Sequence, residues 1–125
     1  MQIKESAENY LEAILAIKTK NGSVRSIDVA NHLNVSKPSV SVAMKAFREE
    51  GYVLVDGDGE ISLTDKGMEI AKKIFERHEL IAGVLMYLGV SEETAFLDSC
   101  KIEHDLSNET YEKIKEFYLK HKKEQ

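Results

Sequence analysis

The sequence predicts a mainly α-helical chain, and three observations carry that prediction. Apolar residues recur at intervals of three and four through most of its 125 positions. Serines stand just ahead of several of these runs, as N-caps do. The remaining apolar pair, YVLV (Tyr52–Val55) and EISLT (Glu60–Thr64), flanks the turn sequence DGDG and reads as one β-hairpin.

Taken in order, the first helix runs from about Lys4 to Lys20, with Ser6 placed to cap it and Ala7, Tyr10, Leu11, Ile14 and Ile17 on one face. NGS at Asn21–Ser23 ends it. The second spans Ser26 to Leu33, capped by Ser26, with Ile27, Ala30 and Leu33 facing inward. After the break NVSKPS a third helix follows, capped by Ser36, with Pro38 in its first turn and Gly51 at its close. Two helices joined so tightly, the second opening with short polar side chains, have the helix-turn-helix layout, and the hairpin behind them makes a winged helix.

TDKG opens a long fourth helix, about Lys66 to Leu88. Ile81, Val84, Leu85 and Leu88 form an apolar stripe there, and Ala82, Met86 and Tyr87 add a second face. One face suits the core and the other a second copy of the chain, so a homodimer interface is expected around Ile81, Val84, Leu85 and Leu88. SEET (Ser91–Thr94) caps a fifth helix expected to include CKIEH, and SNET (Ser107–Thr110) opens the last. Residues 1–66 are expected to form a winged helix-turn-helix domain and 67–125 a helical domain.

Charge is unevenly spread. The net charge is −5, yet between Lys18 and Glu50 six basic residues face three acidic ones, an excess of +3 that leaves −8 for the remainder. A phosphate-binding surface needs only such a local excess, and an acidic remainder suits a metal ion. The double-stranded DNA face is expected on Arg25, Ser26, Ser36, Lys37, Pro38, Ser39, Val40, Ser41 and Lys45, where hydroxyls meet phosphates and Val40 meets thymine methyls. The single cysteine excludes an internal disulfide, and no stretch approaches a membrane span. A cytoplasmic protein without membrane partners is expected.

CKIEHDL, Cys100–Leu106, puts a thiol, a carboxylate and an imidazole on one helical face through Cys100, Glu103 and His104. On its own this is weak, since a lone cysteine is usually an inert buried residue. HELIA at His78 is not a zinc-protease motif, because Ala82 stands where HExxH needs histidine.

SAENYLEAI, SKPSVSVAMKAFREEGYV, ISLTDKG, ERHEL and CKIEHDLS, in this order over nearly the whole chain, resemble the iron- and manganese-dependent repressors, the diphtheria toxin repressor and manganese transport regulator family. The resemblance implies a winged helix joined by a long helix to a helical dimerisation and metal-binding domain, in the short form without an extra C-terminal domain. It implies a metal site at Asn9, Glu12, His78, Cys100, Glu103 and His104. Asn9 departs from the aspartate or methionine of the family, Cys100 matches the iron-type members, and Ala82 and Phe96 replace ligands of their ancillary site. Thiolate and imidazole suit iron, and carboxylate and carbonyl oxygens suit manganese, so Fe²⁺ is favoured over Mn²⁺, with Zn²⁺, Co²⁺ or Ni²⁺ able to bind in vitro. The resemblance thus implies a metal-dependent repressor of metal-homeostasis genes, not an enzyme. The alternatives are a redox- or ligand-sensing winged-helix regulator using Cys100 and, behind it, a small metallohydrolase.

Overall fold

The structure, a computed structural model, describes residues 5–122. Among these, the order is α1 (Glu5–Asn21), α2 (Ser26–Leu33), α3 (Lys37–Glu49), β1 (Val53–Val55), β2 (Ile61–Leu63), α4 (Asp65–Tyr87), α5 (Glu92–Ile102) and α6 (Asn108–Lys122). Two compact units result, Met1–Phe75 and Glu76–Gln125.

The first unit closes around Leu11, Ile14 and Ile17 of α1, which meet Val29 and Ala30 of α2, Val40, Met44 and Phe47 of α3, and Val53 and Ile61 of the hairpin. Each fully buried Leu, Ile or Val stabilises the fold by roughly 1.5–3 kcal/mol before entropy is counted. Lys4, where the sequence starts α1, lies outside the described residues. Ser6 does not cap α1, because the helix already includes Glu5. Nor does Ser26 cap α2: Arg25 takes that place with extended backbone, and its N–H donates to the Asp28 carboxylate at 2.9 Å. Val29 and Ala30 are the buried residues of this helix, and Ile27, expected to face inward, is exposed.

Asn34 ends α2 in the left-handed conformation, which lets the chain reverse within a few residues. Ser36 then caps α3 by accepting from the Ser39 N–H at 3.2 Å, with Pro38 in the first turn, as its fixed φ favours. The wing is antiparallel with Val53 opposite Leu63 and Val55 opposite Ile61. Asp56 Oδ1 holds the turn by accepting from the N–H groups of Asp58 and Glu60, each at 2.9 Å. Ile61 N–H donates to Val24 carbonyl oxygen at 2.8 Å, which ties the wing to the entry of α2.

Thr64 links the wing to α4, donating to the Gly51 carbonyl at 2.6 Å and accepting from the Gly67 N–H at 3.1 Å. The backbone at Gly67 passes so close to the Tyr52 carbonyl oxygen that any Cβ there would collide with it. Ile70 and Ala71 at the start of α4 pack on the first core.

In the second unit Ser91 caps α5, accepting from the Thr94 N–H at 3.3 Å, and Ser107 caps α6, accepting from the Thr110 N–H at 3.1 Å. α5 ends at Ile102, two residues short of the sequence expectation, so His104 lies in the following turn. Glu103 keeps helical angles, φ −58° and ψ −30°, and its N–H still reaches the Ser99 carbonyl at 3.0 Å. The interior of this unit mixes Ile81, Ala95 and Tyr111 with Arg77, His78, Ser99 and Glu103. No helix among the described residues is long and apolar enough to cross a membrane.

Candidate metal centre and nucleic-acid face

α4 supplies His78, and the end of α5 with its following turn supplies Ser99, Cys100, Glu103 and His104. His78 Nδ1 lies 2.9 Å from Glu103 Oε2, 2.9 Å from Ser99 Oγ and 3.8 Å from Cys100 Sγ. Ser99 donates its own proton to the Phe96 carbonyl at 2.9 Å, so its oxygen is an acceptor toward His78 and the Nδ1 position carries the proton. His104 Nε2 lies 3.5 Å from the other Glu103 oxygen, Oε1. Phe96 sets its ring edge-on to His78, 4.7 Å between centroids.

Hydrogen bonds to Cys100 and to Glu103 push the His78 imidazole up to about 10, against burial, which pulls it down. The Glu103 contact is the shorter of the two and holds the proton. Glu103 itself is completely buried, and its Oε1 has no hydrogen-bond partner among the described residues. A buried carboxylate oxygen left without a hydrogen bond is costly. Two imidazoles, a thiol and that carboxylate are the donor set a divalent transition metal takes up, so these residues fit such an ion.

Glu12 and Asn9 are half-buried positions of α1 in the first unit. Two contributors escaped the sequence reading. Ser99 is fully buried, four residues after the buried Ala95 of the same helix, and Arg77 is 7% exposed. Both had a signal in helical spacing: Arg77 follows Ile74 by three and precedes Ile81 by four, which puts a cation on the inward stripe.

On α3 and its approach, Ser36, Lys37, Pro38, Ser39, Ser41 and Lys45 are exposed. Val40 is not: at 0% exposure it belongs to the core, so it cannot meet thymine methyls, and Val42, 71% exposed, is the valine that faces solvent. Ser36 and Ser39 share a hydroxyl–hydroxyl bond of 2.8 Å. Ser26 is half-buried, and the guanidinium of Arg25 donates to the Asp58 carbonyl, so Arg25 braces the wing turn.

The expected dimer stripe is also divided. Ile81 is 4% exposed and packs inside its own unit, which removes it from a surface contact. Val84 and Leu85 are half-buried, and Leu88 is 72% exposed. Val84 and Leu88 join Tyr87, Ile114, Phe117 and Tyr118 along an apolar groove of about 490 Å³ between α4 and α6.

A winged helix followed by a helical unit that gathers buried His78 and Glu103 beside the half-buried Cys100 defines a class of DNA-binding regulator rather than an enzyme. Comparison with known proteins agrees. Residues 2–61 match the family model described as the iron dependent repressor N-terminal DNA binding domain, and 64–124 match its metal binding and dimerisation domain. An uncharacterized HTH-type transcriptional regulator of Methanocaldococcus jannaschii is 39% identical over 122 residues, covering 96% of this chain and 98% of that protein. The transcriptional regulator MntR of Escherichia coli O6:H1 is 32% identical over 94% of this chain and 76% of its own length. The solved structure of the manganese regulator SloR superposes with a TM-score of 0.76 at 27% identity, over 94% of this chain and 54% of that one. The chain spans about half the length of such solved structures. It belongs to the iron-dependent repressor family of metal-dependent transcriptional regulators.

Proposed function

We propose that this chain represses transcription by binding an operator as a homodimer when a divalent ion is held by His78, Cys100, Glu103 and His104 together with Glu12 and Asn9. The observation that carries this reading is the fully buried Glu103, one oxygen 2.9 Å from His78 Nδ1 and the other without a hydrogen bond. When bound, the ion supplies positive charge at that carboxylate and a soft acid for the Cys100 sulfur. Residues 1–66 carry the DNA-binding part and 67–125 the dimerisation and metal-binding part.

Ligands on α1 and ligands on α4 and α5 answer to one ion, so occupancy restricts the freedom between the two units. A dimer meets half-sites roughly 34 Å apart, or a multiple of that, and restricted freedom raises affinity without a new DNA contact. Ser36, Lys37, Ser39, Ser41 and Lys45 present hydroxyls and ammonium groups to phosphates and base edges, in a cytoplasmic regulator of metal homeostasis.

Cys100 favours Fe²⁺, because thiolate is a soft ligand. The competing ion is Mn²⁺, suited to Glu12 and Glu103 and named in the solved relative. Metal analysis of protein purified without added metal, paired with operator binding with and without chelator, tests the whole reading. DNA affinity that ignores the chelator would sink it. For Cys100, Co²⁺ should produce a thiolate charge-transfer band that Cys100→Ser abolishes, with Fe²⁺ and Co²⁺ weakened more than Mn²⁺.

A further inference from the structure

Arg77 is 7% exposed, an unusual position for a guanidinium, whose long stem ordinarily lets the charge reach water. Its Nη1 donates to the Glu103 carbonyl at 3.2 Å and the Leu106 carbonyl at 3.0 Å, and its centre stands 4.8 Å from the centroid of the Tyr111 ring. Nε has no hydrogen-bond partner among the described residues. A cation buried against carbonyl oxygens and a ring face is costly to desolvate, so the arrangement calls for an explanation beyond packing.

The two carbonyls bracket the turn that ends α5 and carries Glu103 and His104. Carbonyls at a helix C-terminus carry partial negative charge, which suits them to a guanidinium. Glu103 is therefore held twice from α4: its carbonyl by Arg77 and its carboxylate by His78, the next residue. One attachment sets the backbone of the turn and the other the side chain, so neither Oε2 nor the adjacent His104 can swing freely.

We infer that Arg77 is a positioning residue for the metal site, pinning the Glu103–Leu106 turn to α4 so that Glu103 and His104 stand in place before a divalent ion arrives. The inference rests on the ligand set proposed above. Preorganisation of this kind raises affinity by removing the cost of ordering the ligands at the moment of binding. Residues that orient metal ligands from behind typically contribute 10–100-fold.

The experiment uses the full chain with Arg77→Met, Arg77→Lys and His78→Ala, titrated with Co²⁺ by visible absorption after circular dichroism has shown each metal-free variant to be folded. Arg77→Met should bind Co²⁺ about 10–100-fold more weakly with an altered ligand-field spectrum. Arg77→Lys should recover only part of the loss, because its shorter side chain must bring an ammonium to both carbonyls that Nη1 bridges and cannot lay a planar guanidinium against Tyr111. Should Arg77→Met fail to fold, Arg77→Lys decides alone: wild-type affinity and spectrum overturn the inference. A lowered melting temperature with unchanged Co²⁺ affinity in Arg77→Met likewise overturns it, leaving Arg77 a packing residue. If His78→Ala abolishes binding while both Arg77 variants bind normally, only this inference falls. If His78→Ala binds as the wild type does, the ligand set falls, and this inference with it.

Discussion

The two units are built on opposite principles. In the first, the buried interior is apolar, from Leu11 of α1 to Ile61 of the wing and Ala71 at the start of α4. Every buried polar or charged residue of the chain's described part, Arg77, His78, Ser99 and Glu103, lies in the second. Large apolar side chains are left on the outside there, among them Leu88, Leu97 and Phe117 at 72%, 55% and 62% exposure. A unit that buries charge and exposes hydrocarbon is not finished by its own sequence, and the family's description of it as a metal-binding and dimerisation domain names what finishes it. The first unit buries no charged side chain among its described residues.

Four variants would break or sharpen that contrast. The largest effect is expected for Glu103→Gln, which keeps the shape but removes the negative charge at the centre of the second unit. On the proposed ligand set, Co²⁺ binding measured by calorimetry should fall by more than about 100-fold, since losing a ligand exceeds the range for supporting residues. Operator affinity should drop with it, because the two equilibria are linked; wild-type binding would move the metal centre elsewhere. Next comes Ser41→Glu on the exposed face of α3, expected to weaken operator binding about 10-fold or more by setting a carboxylate against phosphates. Its Co²⁺ affinity should match the wild type, and a parallel loss of both would show that the units are not separable in this way.

A smaller change concerns the apolar unit alone. Gly67→Ala drives a methyl into the Tyr52 carbonyl and should cost about 1–3 kcal/mol in urea unfolding, with metal binding at the second unit retained. Last is a pH effect in chelated protein. The folded pKa of His78, about 10, lies above its ordinary 6.5, so its contribution to stability is complete below about pH 6.5 and is lost as the pH rises through 10. Urea midpoints of wild type and His78→Gln should therefore converge with rising pH; a constant gap would assign His78 a packing role only.

Much of this fold was legible because its elements have local causes. The Ser36-Pro38 start of α3, the DGDG turn and the serine caps of α5 and α6 act within three or four residues. Errors arose where one residue's offset decides a face. In α2 the sequence sets Ile27 inward with Ala30 and Leu33, whereas the buried stripe runs through Val29 and Ala30. Val40 sits among hydroxyls that suit DNA, yet it stands four residues before the buried Met44 and seven before the buried Phe47, on the stripe that packs inward. In the second unit the ligand types at His78, Cys100, Glu103 and His104 stand out as residue types, whereas Arg77 and Ser99 show only through their spacing from Ile74, Ile81 and Ala95, a weaker signal than a motif.

The wing turn places Asp56, Asp58 and Glu60 within five residues, with Lys18 3.7 Å from Glu60 and Arg25 engaged by the Asp58 carbonyl. A polyanion approaching that tip meets carboxylates rather than free cations. On the proposed reading, the counterions displaced from DNA are thus displaced by α3 and its approach through Lys37 and Lys45. The wing then works as a fender that sets how the protein lies on the duplex, and the short basic stretch does the holding.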